Sequence, residues 1–289
     1  MALEMSREEL RRAEFASGDR TGEVGTREEG PGEAAAVAEP LNRGLADEEP
    51  SRDQFSLSEG DTGDIRLERI VFIGRTYDEY LRMFHLKPGD LKGRTVLDCP
   101  GGACSFTAKA RQIGIEAVAA DIAYQFDPAA LEAKGRLDIG HAVQHVESLG
   151  DQYRWDEFGG PEGLRSERTK ALTATVKDMK QHPDRYVAAV LPVLPFADRQ
   201  FDITLSAHFL FMYSDKLDYA FHEQTVAELM RVTKDEIRIF PLVDQSSRRY
   251  KDMQKLLSFA AGNGWSAEER PSDYEFQRGA ASMLVLTRS

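Results

Sequence analysis

The chain reads as an α/β protein. A mostly parallel sheet carries helices on both faces and closes in an antiparallel terminal hairpin. Three observations predict it. Short apolar runs alternate with helix-like runs along most of the chain. The first two runs, Val96–Asp98 and Ala117–Ala120, each end at an acid, Asp98 and Asp121, and these acids stand 23 residues apart, one crossover. At the other end, Trp265–Glu269 and Met283–Thr287 follow one another with no helix between them, as in a hairpin.

Residues 1–62 are expected to form a disordered acidic tail. Over residues 1–60 there are 15 acidic and 7 basic side chains, −8 of the total net charge of −12, and only Phe15 and Phe55 as aromatics. Such a stretch buries too little apolar surface to offset chain entropy. Residues 63–289 are the predicted folded domain. Tyr77, Tyr80, Leu81 and Phe84 share one face of a helix over Thr76–Phe84. Lys87–Asp90 is a turn, and Ser105–Ile113 is a helix stopped by Gly114. Between about 125 and 184 lies a helical insertion, with helix-like runs at Pro128–Lys134, Ile139–Leu149 and Gly163–Lys180. That is far more chain than a crossover needs, and it stands over one edge of the sheet as a candidate lid. Tyr186–Val190, Phe201–Leu205 and Glu236–Phe240 are further strands, and Tyr219–Arg231 and Ser247–Asn263 further helices.

Hydrophobic content of 41% with 30% charged residues fits a globular domain, and no apolar run approaches the ~20 residues of a membrane helix. Met1–Leu10 is acidic and lacks an apolar core, so no secretory signal is expected. Two cysteines, Cys99 and Cys104, make no disulfide framework, and they have no partners at zinc spacing. A cytoplasmic location follows as the expectation. The acidic balance argues against a duplex nucleic acid as partner, and no motif addresses oligomeric state.

Thr95–Cys104 holds the chemistry. Pro100, Gly101 and Gly102 let backbone pass close to a ligand, and the helix that follows presents free N–H groups. A third glycine for a dinucleotide pyrophosphate is missing, which counts against a nicotinamide-dependent oxidoreductase. An acid just before the loop suits a cationic ligand. S-adenosyl-L-methionine has an ammonium, a sulfonium and a ribose diol. Asp98 is placed for its amino-acid end, Asp121 for the diol and Ile122 for the adenine face.

These residues resemble class I S-adenosylmethionine-dependent methyltransferases, with a Rossmann-like sheet. The resemblance runs from Val96 to Thr287. It rests on Val96–Cys104, on Asp121, on Leu194–Ser206 with its Leu-Pro-Phe and Phe-Asp pairs, and on Leu229–Val232. It implies methyl transfer, with a small-molecule acceptor favoured by the charge. Of the family's glycine triplet only Gly102 keeps its register, and Val190 stands where many members carry an acid against adenine. The other readings are an RNA methyltransferase, whose Lys/Asp/Lys/Glu-type tetrad is not evident, and a non-catalytic S-adenosylmethionine-binding or interaction protein.

The cofactor-binding set expected on this reading is Tyr77, Asp98, Pro100, Gly101, Gly102, Asp121, Ile122 and Ser206. After the fourth strand comes the rim where the methyl acceptor lies. His208 is the candidate general base there, since imidazole titrates near neutrality, and Tyr213 is a further catalytic candidate. Phe209 and Phe211 are either an apolar wall for the acceptor or core. His222 is expected to be structural. His141 and His145 share a helical face but lack the acid of a zinc motif. Trp155 and Phe158 either line a substrate pocket or staple the lid. No metal site is expected.

Overall fold

A computed structural model describes residues 65–289, so the expected acidic tail over 1–62 lies outside the described residues. Seven strands form one sheet: β1 (Thr95–Asp98), β2 (Glu116–Asp121), β3 (Tyr186–Ala188), β4 (Phe201–Ala207), β5 (Thr233–Phe240), β6 (Trp265–Pro271) and β7 (Ser282–Arg288). Their order is β3-β2-β1-β4-β5-β7-β6. The first five run parallel, and β7 lies antiparallel between β5 and β6. The expected hairpin is present, and it inserts its second strand next to β5.

Among the described residues six α-helices flank this sheet: α1 (Tyr77–Met83), α2 (Phe106–Gln112), α3 (Pro128–Ser148), α4 (Pro161–Gln181), α5 (Tyr219–Val232) and α6 (Met253–Gly262). Side chains alternate along a strand, so neighbours in sequence enter different cores. Val96, Ala119 and Leu205 join Tyr80, Phe106, Leu131 and Leu172 on one face. Leu97, Ala120 and Ile239 join Val226, Leu229 and Leu256 on the other. Parallel strands covered on both faces read as continuous apolar runs, as β1 and β2 do in the sequence.

Of the boundaries that differ from the sequence reading, three bear on the architecture. Pro128–Lys134 and Ile139–Leu149 are one helix, α3. Gly135, between the two runs, is the contact point with α4: a Cβ there would lie 2.7 Å from a Leu172 methyl. Packing between two long helices outweighs the propensity cost of one glycine. The expected helix over Ser247–Asn263 begins only at Met253, because Ser247 takes the left-handed region (φ +59°) and Asp244 gathers the N–H groups of Ser246 and Arg248. The third strand stops at Ala188, and Val190 turns out to bridge Val193.

The chain leaves β1 toward β2 and β3, then returns to β4 on the other side of β1. The order therefore reverses between β1 and β4, and an open α/β sheet takes ligands in the crevice above such a point. Asp98 ends β1 and His208 follows β4, so the two flank it.

Candidate functional site

A short extended segment, Phe72–Thr76, crosses the loop after β1 as a strap. The Phe72 N–H donates to Asp138 Oδ2 on α3 at 2.8 Å. Ala103 and Ser105 donate backbone N–H groups to the carbonyls of Ile73 (3.4 Å) and Arg75 (3.0 Å). The approach is close enough that a Cβ on Gly74 would lie 2.0 Å from the Ala103 carbonyl carbon, so only glycine fits. Thr76 and Glu79 then form a capping box that starts α1.

Under the strap, Asp98 is fully buried. Its Oδ1 accepts from the Tyr80 hydroxyl at 2.9 Å, and its Oδ2 has no partner. Burial pushes its carboxyl well above the usual range, the Tyr80 bond opposes this, and the charge of Asp121 adds to it. Asp121 accepts the Gly102 N–H at Oδ2 and the Ala123 N–H at Oδ1, both at 2.8 Å. It thereby ties the loop to the turn Ile122–Gln125. Burial raises its carboxyl too, against those two N–H bonds. Tyr124, on that turn, donates its hydroxyl to the Gly102 carbonyl at 2.8 Å and lies across Gly101, where a Cβ would come within 2.5 Å of it.

A cavity of about 80 Å³ opens beside this cradle, between the strap, α3, α4, the β4 end and the segment before β7. Arg75, Arg168, His208, Tyr274 and Gln277 are among its polar lining residues, and no acid lines it. Arg168, 2% exposed, spends Nη1 on both oxygens of Glu79 at 2.8 Å. Tyr274 donates its hydroxyl to Glu79 Oε1 at 2.9 Å, and Thr76 donates its N–H and hydroxyl to Oε2. Burial alone would raise the Glu79 carboxyl; Arg168 and Arg75 outweigh it and hold Glu79 below its ordinary range.

His208 sits in the left-handed region (φ +53°), with its N–H on the Phe240 carbonyl at 2.7 Å. Such backbone conformations in a non-glycine residue cluster at functional sites. Burial first, then the charges of Arg75 and Arg168, hold its imidazole well below the ordinary range. It is therefore neutral at pH 7, and its Nδ1 has no partner.

Of the residues expected in the site, Asp98, Gly101, Gly102 and Asp121 meet at the β1 and β2 ends, with Pro100 and Ile122 half-buried beside them. Ser206 is buried in β4 opposite Ile239. Tyr77 stacks on Phe106 at 5.7 Å, and its hydroxyl has no partner. Tyr213 does not border the cavity that His208 lines. Phe211 is core, and so is His222, whose two ring nitrogens meet the carbonyls of Asp218 and Leu210. Trp155 and Phe158 pack edge-on against Phe276, which staples the insertion to the segment before β7. Among the described residues no group of three or more side chains suits a metal ion. Cys99 and Cys104 are buried; burial and the nearby acids push the Cys99 thiol well up, and burial and Asp98 push Cys104 up to about 12. Both are inert packing residues.

Arg75, Glu79, Arg168 and Tyr274 were not anticipated. Two signals were available: the Thr76-x-x-Glu79 capping box just after Arg75, and Arg168 interrupting the Leu164, Leu172, Val176 stripe of α4.

No family model matches the chain. An uncharacterised protein of Methanocaldococcus jannaschii is 30% identical over 225 residues, 78% of this chain and 99% of that protein. Magnesium protoporphyrin IX methyltransferase from Synechocystis PCC 6803, solved with S-adenosylmethionine bound, is similar at 14% identity over 74% of this chain and 78% of that one, with a TM-score of 0.41. The 1,6-didemethyltoxoflavin-N1-methyltransferase of Burkholderia thailandensis, solved with 1,6-didemethyltoxoflavin and S-adenosylhomocysteine bound, is similar at 14% identity over 70% of this chain and 76% of that one, with a TM-score of 0.38. No helix among the described residues is long and apolar enough to cross a membrane.

Proposed function

We propose that this chain, which belongs to one family with the Methanocaldococcus jannaschii protein and has a Rossmann-like class I methyltransferase fold, is an S-adenosylmethionine-dependent methyltransferase with a small-molecule acceptor. What carries the reading is the bare, buried Oδ2 of Asp98 at the strand-order reversal, with the glycine loop and Asp121 on one side and His208 on the other. An unpartnered buried carboxylate oxygen is costly, and a cationic ligand is its natural complement. Asp98 then serves the amino-acid end, Asp121 the ribose diol, and Ile122 the adenine face. Pro100, Gly101 and Gly102 line the path, with Tyr77 and Ser206 at its margins. The Tyr80 hydroxyl holds Oδ1 of Asp98, and the Tyr124 hydroxyl lies against Gly101.

Bound there, S-adenosylmethionine supplies a methyl carbon already activated by its sulfonium. The protein's part is to align the acceptor and exclude water. The neutral imidazole of His208 is the form that accepts a proton from a hydroxyl or amine acceptor, although the burial and arginine charges that keep it neutral make it a weaker base than a free imidazole. The net charge of −12 weighs against a nucleic-acid acceptor.

Calorimetric titration with S-adenosylmethionine and S-adenosylhomocysteine tests the cofactor. Micromolar binding is expected, weakened at least about tenfold (1.4 kcal/mol) in Asp121→Ala, with a melting curve to confirm that the variant folds. If the folded wild type binds neither compound, the interaction-protein reading replaces this one. His208→Gln is expected to keep cofactor affinity and to lose roughly 10²–10⁴ in kcat on a hydroxyl or amine acceptor. Undiminished turnover would remove His208 as base.

A further inference from the structure

We propose that the cavity beside His208 takes the acid end of the methyl acceptor, and that this acceptor is a small aliphatic hydroxy or amino acid anchored by its carboxylate, the hydroxyl or amine being the atom methylated. Calling the ligand an acceptor rests on the methyltransferase reading; the binding of a carboxylate does not. Three unpartnered nitrogens belong to residues lining this cavity: Nε of Arg75, Nη2 of Arg168 and Nδ1 of His208. Two of the three carry full positive charge. The nearest carboxylate, Glu79, faces both arginines, and its two oxygens are already taken by Arg168 Nη1, Tyr274 and Thr76. Two guanidinium groups against one spent carboxylate leave the pocket one positive charge in excess. His208 adds none, because it is neutral.

A buried guanidinium N–H without an acceptor is among the more expensive arrangements in a protein interior. The group that relieves it best is a planar anion able to accept from two forks at once. A metal cation is repelled by the same charges, and no acid is there to hold it. Water satisfies N–H groups but leaves the charge uncompensated. Besides the polar Tyr153, Tyr274 and Gln277, the remaining wall is apolar, with Val143, Val146 and Leu164 prominent, so an alkyl body belongs beside the acid. The volume of about 80 Å³ is several times the ~10–15 Å³ that one water needs, so a short organic acid fits.

Sodium butyrate is the probe, with butyramide as its uncharged counterpart, titrated calorimetrically into the full-length protein at constant ionic strength. Butyrate is expected to bind at least about tenfold more tightly than butyramide. Arg75→Gln is expected to erase that preference. Arg75 makes no ion pair among the described residues and its strap bonds are made by backbone atoms, so this variant keeps the fold, which a melting curve verifies. Equal binding of the two probes by the wild type overturns the proposal whether or not the variant folds.

A second arm repeats the butyrate titration with saturating S-adenosylhomocysteine. Butyrate affinity is expected to be unchanged. If the nucleoside displaces butyrate, and Arg75→Gln weakens the nucleoside tenfold, the anion served is the cofactor's own carboxylate and the proposal falls. If butyrate binds as expected while neither nucleoside binds at all, the methyltransferase reading fails and the carboxylate site stands.

Discussion

Replacing Arg168 by methionine is expected to cost about 3–5 kcal/mol of stability, the usual penalty for stranding one member of a buried ion pair. Arg168 and Glu79 are each 2% exposed or less, and the guanidinium spans both carboxylate oxygens. Methionine fills much of the volume, so the loss is electrostatic rather than a cavity. What remains is a buried carboxylate with only Tyr274, Thr76 and the more distant Arg75. The double variant Arg168→Met/Glu79→Gln is expected to recover a large part of the loss, because glutamine still accepts from Tyr274 and Thr76 and carries no charge. Chemical denaturation of the four proteins of the cycle measures this coupling. A pH signature accompanies it. The Glu79 carboxyl is depressed in the folded state, so its contribution is present above its unfolded pKa and is lost as pH falls through the lower folded value. The wild-type advantage over Arg168→Met should therefore shrink in acid. A single-variant cost below about 1 kcal/mol, flat with pH, would show that solvent reaches the pair.

Asp98→Asn is expected to do the opposite to stability while removing function. Asn keeps an oxygen for the Tyr80 hydroxyl and deletes the buried negative charge that leaves Oδ2 bare. A gain of ~0.5–2 kcal/mol is expected at neutral pH, the size of effect seen when a group strained for function is relieved. Affinity for S-adenosylmethionine should fall tenfold or more. The sign with pH is distinctive. The Asp98 carboxyl is raised in the folded state by burial and by Asp121. Its contribution is therefore fully present below the unfolded pKa of about 3.9 and is lost as pH rises through the folded value. Wild type and variant should be alike below about pH 4, and the variant's advantage should grow from there upward. Thermal melts across that range, paired with calorimetry, read both effects. A destabilised variant, or one that binds cofactor normally, would mean that Asp98 is an ordinary structural hydrogen-bond acceptor.

The cradle was legible because its parts are close in sequence. Asp98 and the loop after it are contiguous, and Asp121 follows one strand–helix–strand unit later. Local punctuation by Pro100, Gly101 and Gly102 and two apolar runs sufficed to assign it to strand ends. The boundaries that went astray were those where tertiary contact overrode local signals: Gly135 inside α3 against Leu172, and Asp244 and Ser247 delaying α6. The arginine pair was hidden for another reason. Arg75 and Arg168 are 93 positions apart, and nothing within either neighbourhood states that they line one cavity with His208.

By itself the sequence determined the α/β class, the parallel sheet with its terminal hairpin, and the acid-flanked loop, since each is written in hydrophobic periodicity and in the backbone needs of glycine and proline over a few consecutive residues. Only the tertiary structure decided that β7 enters between β5 and β6, that the strand order reverses between β1 and β4, and that a strap through Gly74 carries Arg75 to the cavity. Strand pairing and the meeting of distant side chains depend on which surfaces the whole chain can bury together. That is a global free-energy minimum, which no local window of residues contains.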